Sequence, residues 1–111
     1  MFETTMSQYK TPILRVNGKI IGNTVDALRS EMDAQIKESG GNLILDLTNV
    51  PLLDSSALGA IITTLQALKK GDGRLVLLNP QKAVKNVLMV TRLDSIFEIY
   101  QDEIDAVNAF S

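Results

Sequence analysis

One short stretch concentrates the groups that could do chemistry: Leu52-Leu53-Asp54-Ser55-Ser56-Ala57-Leu58-Gly59. A carboxylate and two hydroxyls stand between an apolar segment and an apolar helix. That spacing puts them at a helix N-terminus, where free backbone N–H groups and the positive dipole end stabilise negative charge. A phosphate on Ser55 or Ser56 would add about −1.5 to −2 charge there. The helix tolerates it, while adjacent Asp54 repels it. Such a phosphate acts as a surface switch: it costs the fold little and any packed partner a great deal. Asp and Ser are also good N-caps. The two roles are compatible, because one serine can cap while the other faces solvent.

Other polar groups carry weaker signals. Asp46 sits mid-strand among leucines, where a carboxylate needs partners. It is either a charge beneath the Ser55 loop or a strand-end group bonding loop backbone, and the second reading is favoured. Asp72, Asp94 and the cluster Asp102, Glu103, Asp105 fit no calcium-loop spacing. Lys82 and Lys85 read as a solvated helix face. The glycines form neither a dinucleotide fingerprint nor a P-loop. Met6, Met32 and Met89 read as core. Ile20, Ile21, Leu52 and Leu53 flank the Ser55 segment and are candidates for an exposed partner patch.

Composition excludes several function classes. The 111 residues make one domain with one core. There is no Cys and no His, so a disulfide framework, a thiolate zinc site and a Ser-His-Asp triad are impossible within the chain. No metal or cofactor is expected. An enzyme is not expected either, since no convergent set of Asp, Ser and Lys is visible. The net charge of −2 gives no footprint for nucleic acid. No apolar run approaches the roughly 20 residues that span a bilayer. The N-terminus carries no signal-peptide pattern, and a cytoplasmic location is expected.

The elements that must position the Ser55 segment alternate. Pro12–Val16 reads as a strand before the turn pair Asn17-Gly18, with a weaker extended segment around Phe2–Tyr9 forming a hairpin. Asn23 is a candidate N-cap for a helix carrying Val25, Leu28, Met32 and Ile36, ended by Gly40-Gly41. Asn42–Leu47 is a buried strand. The Asp54–Ser56 helix runs to Lys70. Arg74–Leu78 is another buried strand, Gln81–Arg92 a helix, Ile96–Tyr100 a short strand and Asp102–Phe110 a final helix, with Ile104, Val107, Ala109 and Phe110 available for the core. The order β(β)αβαβαβα predicts an α/β domain with a mixed sheet of four to five strands and about four helices.

LILDLTNVPLLDSSALG resembles the signature of the STAS domain, specifically of bacterial anti-sigma factor antagonists. Their pattern is an apolar strand with Asp, a loop, then Asp-Ser-Ser/Thr-Gly-Leu-Gly opening a helix. The Gly18 turn, the glycine-ended helix and Asn79-Pro80 extend the likeness over essentially the whole chain, 1–111, as a single STAS domain. The resemblance implies partner switching. The unphosphorylated protein binds an anti-sigma factor that is also a serine kinase, phosphorylation at Ser55 releases it, and a PPM-type phosphatase resets it. Ser56 is then a structural hydroxyl, and Asp54, Ala57, Leu58 and Gly59 complete the switch segment. Gly18, Ile20, Ile21, Asn23, Thr24, Leu52 and Leu53 are the implied partner-binding positions. The alternative is a non-switching scaffold subunit of a larger regulatory or transporter-associated complex. Two positions depart from the pattern. Ala57 replaces the signature's Gly and adds a methyl where a partner backbone could approach. Gly18-Lys19-Ile20-Ile21 lacks the usual acidic residues after the turn, which implies a divergent partner.

Overall fold

The apolar runs become strands, and their alternation decides which face each residue serves. The computed structural model describes residues 1–111. Its elements are β1 (Phe2–Met6), β2 (Pro12–Asn17), α1 (Thr24–Ser39), β3 (Asn42–Asn49), α2 (Ser55–Lys70), β4 (Arg74–Leu78), α3 (Lys82–Val90), a 3-10 turn (Leu93–Ser95), β5 (Glu98–Tyr100) and α4 (Glu103–Asn108). The sheet runs β1-β2-β3-β4-β5 in space. β1 is antiparallel to β2, and all later neighbours are parallel. This is the mixed five-stranded sheet that the alternating pattern predicts.

Successive strand residues face opposite sides. Leu14, Val16, Leu43, Leu45, Leu47, Leu75 and Leu77 point to α1, α2 and α3 in a cluster of 22 buried residues. Ile13, Ile44, Val76 and Leu78 point the other way, into a cluster of 5 completed by Ala106 of α4. One face therefore carries most of the hydrophobic stabilisation, and the six residues of α4 cover the other. Arginines hold both ends of that helix. Arg15 donates to Glu103 at 2.7 Å. Arg74 donates to the Ala109 carbonyl and lies over the Phe110 ring.

Several local expectations are corrected. Asn23 precedes α1 but makes no side-chain cap bond, because its backbone is already helical at φ −69, ψ −13. Thr24, the first residue of α1, ties the preceding turn instead: its Oγ1 accepts the Ile21 N–H at 2.9 Å and donates to the Ile21 carbonyl at 2.7 Å. β5 begins at Glu98, since Ile96 closes the 3-10 turn. Met6 and Met89 are exposed, while Met32 is core as read. Of the residues expected to fill the core from α4, Ile104 is exposed, and the fully buried residue of the helix is Ala106. Gly73 has a steric role that turn composition does not reveal. A Cβ there would lie 2.5 Å from the Gly41 carbonyl, where the entries to the parallel strands β3 and β4 run side by side.

Candidate functional site

The loops leaving the carboxyl ends of β2 and β3 lie side by side. In open parallel sheets this end is where ligands and partners are received. Backbone bonds lace the two loops together. Gly18 N–H donates to Asn49 O at 3.0 Å, Ile20 N–H to Leu52 O at 3.0 Å, and Asp54 N–H to Ile20 O at 3.2 Å. Ile20 and Leu53 form an isolated parallel bridge that prolongs the β2–β3 pairing. Gly18 takes φ +103, a backbone that side chains other than glycine's rarely adopt.

Asp54 organises the start of α2. Its backbone is extended, as an N-cap requires. Oδ1 accepts the Ala57 N–H at 2.8 Å and the Ser56 hydroxyl at 2.7 Å. Oδ2 accepts the Gly22 N–H at 2.9 Å. These donors stabilise the ionised form, so the Asp54 carboxyl lies below its ordinary range, with the Gly22 N–H as the largest cause. Ser55 is the first residue of α2. It is exposed, and its hydroxyl is engaged by no protein group. Of the two serines, Ser56 is tied to the cap and Ser55 stands free. Sequence alone did not reveal Gly22, at φ +56, as a partner of Asp54. Its place between two aliphatics and Asn23-Thr24 is the only local hint.

The partner-patch residues divide. Ile21 (38% exposed) and Leu52 (44%) are at the surface beside Ser55, with exposed Lys19 next to them. Ile20 (0%) and Leu53 (6%) are core, because the bridge turns both side chains inward. Ala57 and Leu58 are buried as well. The Ala57 methyl thus faces the protein's own core, which corrects the expectation that it meets a partner. Gly59 is partly exposed, with open space where a Cβ would stand.

Asp46 is buried on the α4 side of the sheet, not beneath Ser55. Its Oδ1 accepts the Thr48 N–H at 3.0 Å and the Thr48 hydroxyl at 2.6 Å, and its Oδ2 accepts from Arg15 at 2.9 Å. The strand-end expectation is corrected too: β3 runs on to Asn49, so Asp46 lies within the strand and is satisfied by Thr48 of that strand and by Arg15, not by loop backbone. Glu103 is the largest cause holding the Arg15 guanidinium above its ordinary range. Thr48 in turn is reached by Asn79 and Gln81, whose side-chain amides donate to its Oγ1 and carbonyl. The loop after β4 is thereby joined to the same end of the sheet. No helix of the structure is long and apolar enough to cross a membrane.

A mixed sheet whose carboxyl edge presents a carboxylate-capped helix with a free hydroxyl defines a small α/β regulatory binding domain. The chain belongs to the STAS domain family, whose model matches residues 4–106. A relative from Paenibacillus polymyxa named anti-sigma F factor antagonist is 28% identical over 96 residues, covering 86% of this chain and 82% of the relative. The crystal structure of an anti-sigma factor antagonist from Mycobacterium paratuberculosis superposes with TM-score 0.86 at 25% identity, covering 99% of this chain and 92% of that one. The phosphorylated form of the Bacillus cell fate determinant SpoIIAA superposes with TM-score 0.76 at 21% identity over the whole of both chains. Part of the murine anion transporter Slc26a9 has the same fold (TM-score 0.74, 19% identity), covering 90% of this chain but 17% of the transporter.

Proposed function

We propose that this chain is an anti-sigma factor antagonist that works by partner switching. In its unmodified state it binds an anti-sigma factor that is also a serine kinase. Phosphorylation of Ser55 ends that complex, and a PPM-type phosphatase restores it. The chain acts as a cytoplasmic binding module rather than an enzyme. One observation carries this reading: Ser55 is exposed and unbonded at the first position of α2, while Asp54 and Ser56 hold the helix start in place. A phosphate on Ser55 gains from the helix dipole and loses to the Asp54 charge. The fold is left nearly unchanged, and a surface packed against Ile21 and Leu52 meets two new negative charges. The named relatives support the assignment of class.

Intact-mass and phosphosite mapping of the protein from its native cell tests the proposal. A single phosphate on Ser55 that varies with growth state, and whose presence excludes the bound kinase, is the expected result. An unmodified Ser55 under every condition, with a non-kinase partner still bound, replaces the switch with the scaffold reading.

A further inference from the structure

β1 is an edge strand, paired on one side only. Its ladder with β2 is fixed at both ends: Asn17 N–H donates to Met1 O at 2.8 Å, and Ser7 N–H donates to Thr11 O at 3.0 Å. Antiparallel ladders alternate. With Met1↔Asn17 and Ser7↔Thr11 as hydrogen-bonded pairs, Glu3↔Arg15 and Thr5↔Ile13 are hydrogen-bonded pairs as well. The backbone N–H and C=O groups of Phe2, Thr4 and Met6 therefore point away from β2, along the open edge.

Natural sheets blunt such edges with Lys, Pro, bulges or very short strands. The opposite edge, β5, has three residues. β1 has five residues, FETTM, with no Lys or Pro and a register with β2 free of bulges. Phe and Thr also favour strands.

We propose that β1 pairs antiparallel with β1 of a second copy of this chain, about a two-fold axis through Thr4. In that register Thr4 faces Thr4, Phe2 faces Met6 and Glu3 faces Thr5. Every outward N–H on one copy meets an outward C=O on the other. Like charges never stand opposite, because the strand's one charged residue, Glu3, faces a threonine. Half-exposed Met6 gains an aromatic neighbour in Phe2 of the second copy. Neither sheet face obstructs the approach. α1 packs over β2 and β3, and α4 over β4 and β5. With strands about 4.8 Å apart, the two α1 axes lie roughly 19 Å from each other, well beyond a helix diameter of about 10–12 Å. The axis sends the two Ser55 sites to opposite ends of the joined sheet, so both stay accessible. The inference does not depend on what those sites bind.

Sedimentation equilibrium from micromolar to millimolar protein, with circular dichroism as a check on folding, is the first test. The wild type is expected to reach twice the monomer mass. Thr4→Lys, which sets two cations against each other on the axis, is expected to stay monomeric and folded. The chain holds no cysteine, so single-thiol variants give a second readout. Thr4→Cys is expected to form a covalent dimer on mild oxidation. Met6→Cys, whose two copies lie roughly 14 Å apart in this register, is expected to lag far behind it. A wild type monomeric at millimolar concentration, its edge free or taken by another protein's strand, overturns the proposal. So does a dimer that survives Thr4→Lys, or cross-linking at position 6 as fast as at position 4.

Discussion

Asp54 Oδ2 accepts the Gly22 N–H at 2.9 Å, so one carboxylate joins the β2–α1 loop to the start of α2. Its other oxygen holds Ser56 and Ala57. The loop after β2 and the helix that begins at Ser55 are thus tied together by one side chain, the arrangement that the proposed switch calls for.

Ser55→Asp should keep the fold within about 0.5 kcal/mol of wild type, because the side chain has no partner to lose. It should weaken binding to the proposed anti-sigma kinase at least roughly tenfold, about 1.4 kcal/mol. Ser55→Ala should bind continuously. Calorimetric titration of the three proteins with that kinase checks both statements.

Acid should loosen the loop through Asp54. Its carboxyl in the folded protein lies below the ordinary range, so its contribution is complete above that range. The contribution fades as pH falls through the lowered folded value, where both states are protonated. Asp54→Asn should lose stability at neutral pH, and the gap to wild type should close toward strong acid. Thermal melts across pH, with amide exchange at Gly22, measure this.

Ala57→Gly restores the residue usual in the signature and should cost about 1–2 kcal/mol, from helix propensity and a lost buried methyl. Partner affinity should not change, because that methyl faces the core. Urea unfolding and a binding titration on the same samples separate the two effects.

Asp46→Ala should cost about 1–3 kcal/mol, since it removes the acceptor for Thr48 and Arg15 together. Partial exposure of Arg15 keeps the figure below that of a sealed ion pair. Phosphorylation of Ser55 should proceed at the wild-type rate. Urea unfolding and a kinase time course check the pair of expectations.

Much of this was legible in the chain. Strand runs such as NLILDL and RLVLL, the helix from the Asp54–Ser56 segment to Lys70 and the Asp54 cap all lie where local pattern puts them. What failed to show was non-local. Ile20 and Leu53 read as loop aliphatics, yet a bridge between segments over thirty residues apart in sequence turns both inward. The same pairing hides Gly22 as an anchor. Ala57 read as surface because a motif gives residue types but not helix phase. Met6 and Met89 mislead because hydrophobicity alone does not say that a sheet edge or the outer side of α3 lacks a cover.

The two arginines at the ends of α4 have a wider consequence. A helix of six residues does not persist alone in water. Once Arg15 and Arg74 let go, α4 does not swing aside as a rigid piece; it melts. The domain therefore carries two tiers of local stability. The large core is expected to open only with global unfolding, while the C-terminal turn over Ile13, Ile44 and Val76 is expected to exchange its amides earlier. The tail behaves as a reversible fastening, renewed each time two guanidinium groups find their carbonyl and carboxylate again.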